Sequence, residues 1–169
     1  MVFLKAFCAI GGFSLCAYGG YRYSRKHIMR ERYFAEVLEF CAAVTAEINF
    51  VHLSLQTIME KYAGSFKSFL SVQLAGVAAL LEKNLTVDEA ALCKYVPQGI
   101  LTADEYETVI RFFNVLGKSD AENQTASVES FKTAFLKYHA AAAENKKKYS
   151  SLYWKLGLLA GAALAVFVI

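Results

Sequence analysis

Two stretches without a single charge constrain this chain more than anything else in it. From Ala6 to Tyr21 the sequence reads AFCAIGGFSLCAYGGY, and from Leu156 to Ile169 it reads LGLLAGAALAVFVI. Extended back to residue 2, the first makes twenty residues, about 30 Å of helix and about one hydrocarbon core. The second covers about 21 Å alone and about 27 Å from Leu152, enough where Lys155 snorkels and the bilayer thins. The sequence therefore predicts transmembrane helices over 1–21 and 152–169, with a domain of 22–151 between them. The competing reading of the first segment is a cleaved signal peptide. Its positive region would be Lys5 alone, and no A-x-A site follows. The competing reading of the second is a buried core helix.

The charges are sorted around these stretches. The 169 residues carry a net +3, which conceals +5 in residues 1–33, −6 in 34–144 and +4 in 145–169. A nucleic-acid binder spreads its basic groups over the folded domain, so nucleic acid is not an expected partner. Here the cations flank the apolar segments: Arg22, Arg25, Lys26, Arg30 and Arg32 after the first, and Lys146, Lys147, Lys148 and Lys155 before the second. Only Lys5 lies on the far side. The positive-inside rule then places the middle domain in the cytoplasm and both termini outside. Tyr18, Tyr21, Tyr23, Tyr149, Tyr153 and Trp154 are residue types that favour the membrane–water interface. Arg22, Arg25, Lys26, Lys146, Lys147, Lys148 and Trp154 are thus candidate membrane-interface residues. Small residues recur at four-residue steps: Cys8, Gly12, Cys16 and Gly20, then Gly157, Gly161 and Ala165. Such stripes let helix backbones approach. Gly12, Cys16, Gly20, Gly157 and Gly161 are candidate packing positions, between the two segments or against a partner.

The middle reads as helix throughout. Ile28, Val37, Leu38, Cys41, Val44 and Ile48 recur at three- and four-residue steps, with Glu36, Glu39 and Glu47 expected on other faces. No breaker separates this helix from the first apolar segment. A break is expected near 50–54, then a short helix to Tyr62 stopped by Gly64. A helix over 66–83 carries Phe69, Val72, Leu74, Val77, Leu80 and Leu81. Three capping boxes follow, Thr86 with Glu89, Thr102 with Glu105 and Ser119 with Glu122, each pairing a hydroxyl and a carboxylate three residues apart. Pro97 and Gly99 mark the loop between the first two. Val109, Phe112, Phe113 and Leu116 form one apolar face, ended by Gly117. Val128, Phe131, Phe135, Tyr138 and Ala142 form the next, which meets no breaker before the second apolar segment. An apolar share of 56% excludes disorder. The expected fold is all-α: a cytoplasmic antiparallel helical bundle flanked by N- and C-terminal transmembrane helices.

Chemistry is sparse. Cys8, Cys16, Cys41 and Cys93 contain no C-x-x-C pair, so neither a zinc site nor a redox pair is indicated. His27, His52 and His139 are isolated, and no phosphate-binding glycine loop occurs. Asp88–Glu89 and Asp104–Glu105 sit in first helical turns, where negative charge suits the helix dipole. The reading is not an enzyme, with no catalytic, cofactor or metal residues and no small-molecule substrate. The acidic middle is left to meet a basic protein partner.

In order and detail the chain resembles stage III sporulation protein AB of endospore-forming bacteria, a family similar to the membrane platform (F) protein of type II secretion and type IV pilus systems. The resemblance rests on Glu47-Ile48-x-Phe50, on Thr86-Val87-x-Glu89-Ala90, on Leu116-Gly117-x-x-Asp120-x-x-x-Gln124, and on Tyr153-x-x-Leu156-Gly157-x-x-Ala160-Gly161. Glu47, Leu116, Gly117, Asp120 and Gln124 become candidates for either partner contact or a tight helix–helix corner. Family members often have a proline-containing turn after the first long helix, whereas Val51-His52-Leu53-Ser54-Leu55 has none. The resemblance implies a scaffold in the mother-cell membrane around the forespore, within a secretion-like channel. Its partners would be the secretion-type ATPase called stage III sporulation protein AA, other channel subunits, membrane lipid, or a further copy of the chain. The alternatives are a pilus or type II secretion platform, and a membrane-bound enzyme whose site forms only with a partner.

Overall fold

The computed structural model describes residues 2–51, 53–83, 92, 94–95, 99–116 and 121–168. All regular structure among them is helical. The order is α1 (Val2–Ala46), a π-helical turn (Glu47–Val51), α2 (Leu55–Ala63), α3 (Phe69–Glu82), α4 (Ala103–Leu116) and α5 (Ala121–Val168). The expectation that the first and last helices meet no breaker agrees with α1 and α5, which run 45 and 48 residues. The chain divides into two compact units, Met1–Glu31 with Ala141–Ile169, and Arg32–Ala140.

The second unit is built on aromatic packing. Tyr33, Phe34, Phe40, Phe112, Phe113 and Phe135 are among its largest fully buried side chains. Phe112 meets Phe135 edge-on at 5.1 Å and Phe131 at 5.5 Å, and Phe34 lies 5.6 Å from Tyr138. Offset and edge-on arrangements suit ring quadrupoles and bury large apolar areas. The apolar faces expected over 109–116 and 128–142 supply Val109, Phe112, Phe113, Leu116, Val128 and Phe135 to buried positions.

Polar groups fix the turns. The proline-free break after α1 is made by the π-helical turn and by Ser54, whose hydroxyl accepts from the Thr57 amide at 3.3 Å. Ser68 caps α3 by accepting from the Leu70 amide. Thr102 and Glu105 form a reciprocal capping box. The Thr102 amide donates to Glu105 Oε2 at 2.8 Å, and the Glu105 amide donates to Thr102 Oγ1 at 3.4 Å. The boxes at Thr86–Glu89 and Ser119–Glu122 lie outside the described residues or side chains. Gly64 ends α2 at φ −83°, a right-handed conformation, so it acts there without the left-handed turn that glycine usually supplies. Gly99 has φ +79°, which fits its expected loop.

Two expectations need correction. Glu36 and Glu47 are expected on faces other than the apolar one, yet both are buried. Glu36 accepts the Lys67 amide at 3.3 Å and the Ser68 amide at 3.0 Å, and pairs with Arg32 at 3.1 Å. A carboxylate that ties down the α2–α3 connection has a reason to leave water that spacing does not reveal. The face of α3 is also turned: Val72 is 57% exposed, whereas Gln73 is buried and accepts from the Tyr33 hydroxyl at 2.7 Å. No helix among the described residues is long and apolar enough to cross a membrane. The transmembrane character expected of 1–21 and 152–169 is unconfirmed, and residues 2–21 and 152–168 are helical.

Glu36→Ala removes an acceptor from two backbone amides, and urea unfolding should show a loss of about 2–3 kcal/mol. Glu36→Gln keeps an acceptor oxygen and should lose less. Equal losses would mean that the Arg32 ion pair, not the amides, sets the contribution of Glu36.

Candidate functional site

The first unit is a pair of antiparallel helices held in register by small residues. A β-carbon placed on Gly20 would lie 2.6 Å from the Tyr153 carbonyl oxygen and 3.0 Å from the Gly157 Cα. One on Gly157 would lie 2.8 Å from the Cys16 carbonyl oxygen, and one on Gly161 would lie 2.9 Å from the Phe13 ring. Contacts this short require hydrogen at all three positions. They bring Cys16, Gly20, Gly157 and Gly161 of the small-residue stripes together. Gly12 stands apart, with nothing within 4 Å of an added β-carbon.

Further along, the pairing becomes polar and aromatic. Ser24 and Ser150 share a hydrogen bond at 3.3 Å. Tyr23 lies 5.4 Å from Tyr153, and His27 stacks on Tyr153 at 5.8 Å and lies tilted against Tyr149 at 5.6 Å. Burial lowers the His27 pKa, and Arg30 and Lys26 push it the same way, which favours the neutral ring against the two tyrosines. Lys146 donates to Glu31 at 2.8 Å. Arg22, Arg25, Lys26, Lys147, Lys148 and Trp154 are exposed around this level. Arg25 lies over the Tyr21 ring and Lys148 over the Tyr149 ring. These are the residues singled out as interfacial, and among them Lys146 is the one with an ion pair described here.

The second unit holds Glu47 at the start of the π-helical turn. Lys61 and Tyr62 of α2 both donate to Glu47 Oε1, the latter at 3.2 Å. The lysine hydrogen bond holds the Glu47 carboxyl below its ordinary range, and the same bond raises Lys61. Phe50 and Val51, beside it, are exposed. Leu116, the other described member of the corner motif, is fully buried. Gly117 and Asp120 lie outside the described residues, as does the Gln124 side chain in α5. Asp104 accepts from the Tyr138 hydroxyl at 2.6 Å, which ties α4 to α5. Burial pushes the Cys41 thiol up to about 12, an inert state for a nucleophile. Cys16 and Cys41 are both unpaired thiols. His52 and Cys93 lie outside the description. Among the described residues no group of three or more His, Cys, Asp or Glu is placed to hold a metal.

The description of the stage III sporulation protein AB family matches residues 5–169, nearly the whole chain. The chain belongs to that family. No curated protein and no solved structure matches it. The stage III sporulation protein AB match takes in both the glycine contact of the first unit and the Glu47 cluster of the second.

Sequence reasoning missed Tyr33, Phe34 and Phe40, although their spacing continues through Val37, Cys41 and Val44. It also gave no sign of the Lys61 and Tyr62 partners of Glu47, which lie across a break in the helix.

Two outcomes follow. Gly157→Leu should lower the melting temperature of the detergent-solubilised chain, with overpacking of about 1–3 kcal/mol, while Gly12→Leu leaves it unchanged. Glu47→Gln should destabilise the chain near neutral pH. Because the folded pKa of Glu47 is depressed, its contribution is present above the ordinary 4.5 and is lost as pH falls through the lower folded value. Lys61 is raised, so its contribution is present below 10.5 and fades above it. Melts from pH 2 to 8 should show wild type and Glu47→Gln converging in acid.

Proposed function

We propose that the chain, whose family membership implies a role in stage III of sporulation, serves there as a non-enzymatic platform subunit, anchored to a membrane by its first unit and presenting its second to protein partners in the cytoplasm. The observation that carries this reading is the division of charge and apolar surface between the units. The first holds nine Lys and Arg against two acids, and the second holds nine against thirteen. Ile10, Leu15, Leu159 and Val166 of the first unit are each more than 60% exposed. Apolar side chains in that number need a cover, and lipid is the cover that flanking cations and interfacial aromatics accompany. Residues 2–9 and 164–169 continue both apolar stretches in the sequence.

The second unit supports the scaffold part of the reading. Its buried acids Glu36, Glu47 and Glu105 each have structural partners, and Cys41 is inert. The partner proposed for it is the secretion-type ATPase, stage III sporulation protein AA, with the other channel subunits and the mother-cell membrane around the forespore as its setting. The ATPase would supply the energy, and this chain would anchor or transmit it.

Two measurements test the proposal together. Deletion of the chain should halt sporulation at stage III. The full chain, extracted in mild detergent, should retain the ATPase on purification, with a yield that changes when nucleotide is added. Normal spore formation by the deletion strain would remove the role. Recovery of the chain without the ATPase under every nucleotide condition would remove the coupling.

A further inference from the structure

We infer that the polar end of the helix pair in the first unit is a docking surface for anionic phospholipid headgroups, formed by Arg25, Lys26, Lys147 and Lys148. The inference rests on the membrane anchoring proposed above and names the lipid class that the anchor selects.

The pairing of the two helices creates this surface. In sequence Arg25 and Lys148 are 123 positions apart. The glycine contact at Gly20 and Gly157 fixes the register, and the Ser24–Ser150 hydrogen bond then sets positions 25 and 26 level with 147–150. The contacts of His27 with Tyr149 and Tyr153 and the Glu31–Lys146 pair extend the same register. Four exposed cations are thereby gathered within about two helical turns. The unit contains only Glu31 and Glu144 as acids, and Glu31 already receives Lys146. The collected positive charge thus has too few internal carboxylates to neutralise it, and phosphate oxygens are the complementary group.

Position along the helices selects a lipid over other polyanions. Towards 10–21 and 156–163 the same helices expose apolar side chains and no charge. Tyr21 closes that band, and Tyr23 and Trp154, with Arg22 and Lys155 beside them, lie between it and Arg25, Lys26, Lys147 and Lys148. The succession of apolar, aromatic and cationic levels follows the profile of a bilayer from acyl chain to headgroup. Duplex DNA offers phosphates but nothing to cover the apolar band. The rings of Tyr21 and Tyr149 lie against Arg25 and Lys148, which limits the freedom of both cations.

The sole tryptophan of the chain, Trp154, lies beside this surface and serves as the probe. The full chain is reconstituted into vesicles, and quenching of Trp154 is compared for brominated phosphatidylglycerol and brominated phosphatidylcholine. Wild type should favour phosphatidylglycerol by roughly fivefold at low salt, the factor that one basic residue near an anionic surface supplies, and should lose the preference at high salt. The variant carrying R25Q, K26Q, K147Q and K148Q should be quenched equally by both lipids, with its helical circular dichroism unchanged. Equal quenching of wild type would overturn this inference and leave the anchor standing. A preference that survives the four substitutions would remove its assignment to these residues. No quenching of Trp154 by either lipid would overturn the anchor itself. Loss of the preference on adding short duplex DNA at equal phosphate concentration would overturn the lipid assignment in favour of nucleic acid.

Discussion

An ionised group leaves water only when its partners come with it, and this constraint arranges the whole chain. In the second unit each buried carboxylate performs a structural task. Glu36 takes two backbone amides ahead of α3, Glu105 completes a helix cap, and Glu47 draws Lys61 and Tyr62 of α2 toward the end of α1. The first unit solves the problem differently. It keeps charge out of two long stretches and gathers its cations where the helices meet through serines, tyrosines and a histidine. One chain thus presents one cationic and one acidic unit, and the modest net charge of the whole conceals both.

The helical class, the unbroken first and last helices and the apolar faces of α4 and α5 were legible in the sequence because their periodicity is local. So were Thr102 and Glu105, whose cap depends on a spacing of three residues. What stayed hidden depends on contacts across turns. Nothing near Glu36 announces that Lys67 and Ser68 will bring their amides to it. The phase of α3 was misread because Val72 and Gln73 contradict the usual sorting by polarity, and the Tyr33 hydroxyl that draws Gln73 inward lies forty residues away. For the candidate site, the small-residue stripes announced a face without saying which members would meet, and Gly12 proved to lie off it. The corner motif at 116–124 falls mostly outside the described residues, so its reading stays with the family resemblance.

For a member of the stage III sporulation protein AB family, this division gives each unit a distinct kind of proposed partner. The cationic helix pair is matched, in that proposal, to a surface with fixed chemistry and no defined shape, for which small backbone-to-backbone contacts and a level of exposed positive charge suffice. The acidic unit has a densely packed aromatic core, and its outer residues can vary without disturbing Phe34, Phe112 or Phe135. The proposed scaffold role would draw on that combination: a firm interior that fixes distances, and an exterior available for recognition.

The Tyr33–Gln73 pair has a consequence for how the second unit finds its arrangement. The Gln73 amide nitrogen is buried and finds no partner among the described residues, a cost of about 1–3 kcal/mol that an apolar side chain there would avoid. Yet sliding α3 by one residue would set Val72 or Leu74 against the Tyr33 hydroxyl and strand a second buried polar group. An all-apolar seam would tolerate such a slip, because leucine meets valine about as well as it meets another leucine. The pair therefore acts as a key that fits one lock position: it makes the correct alignment less stable than it could be, and makes its nearest competitors worse still.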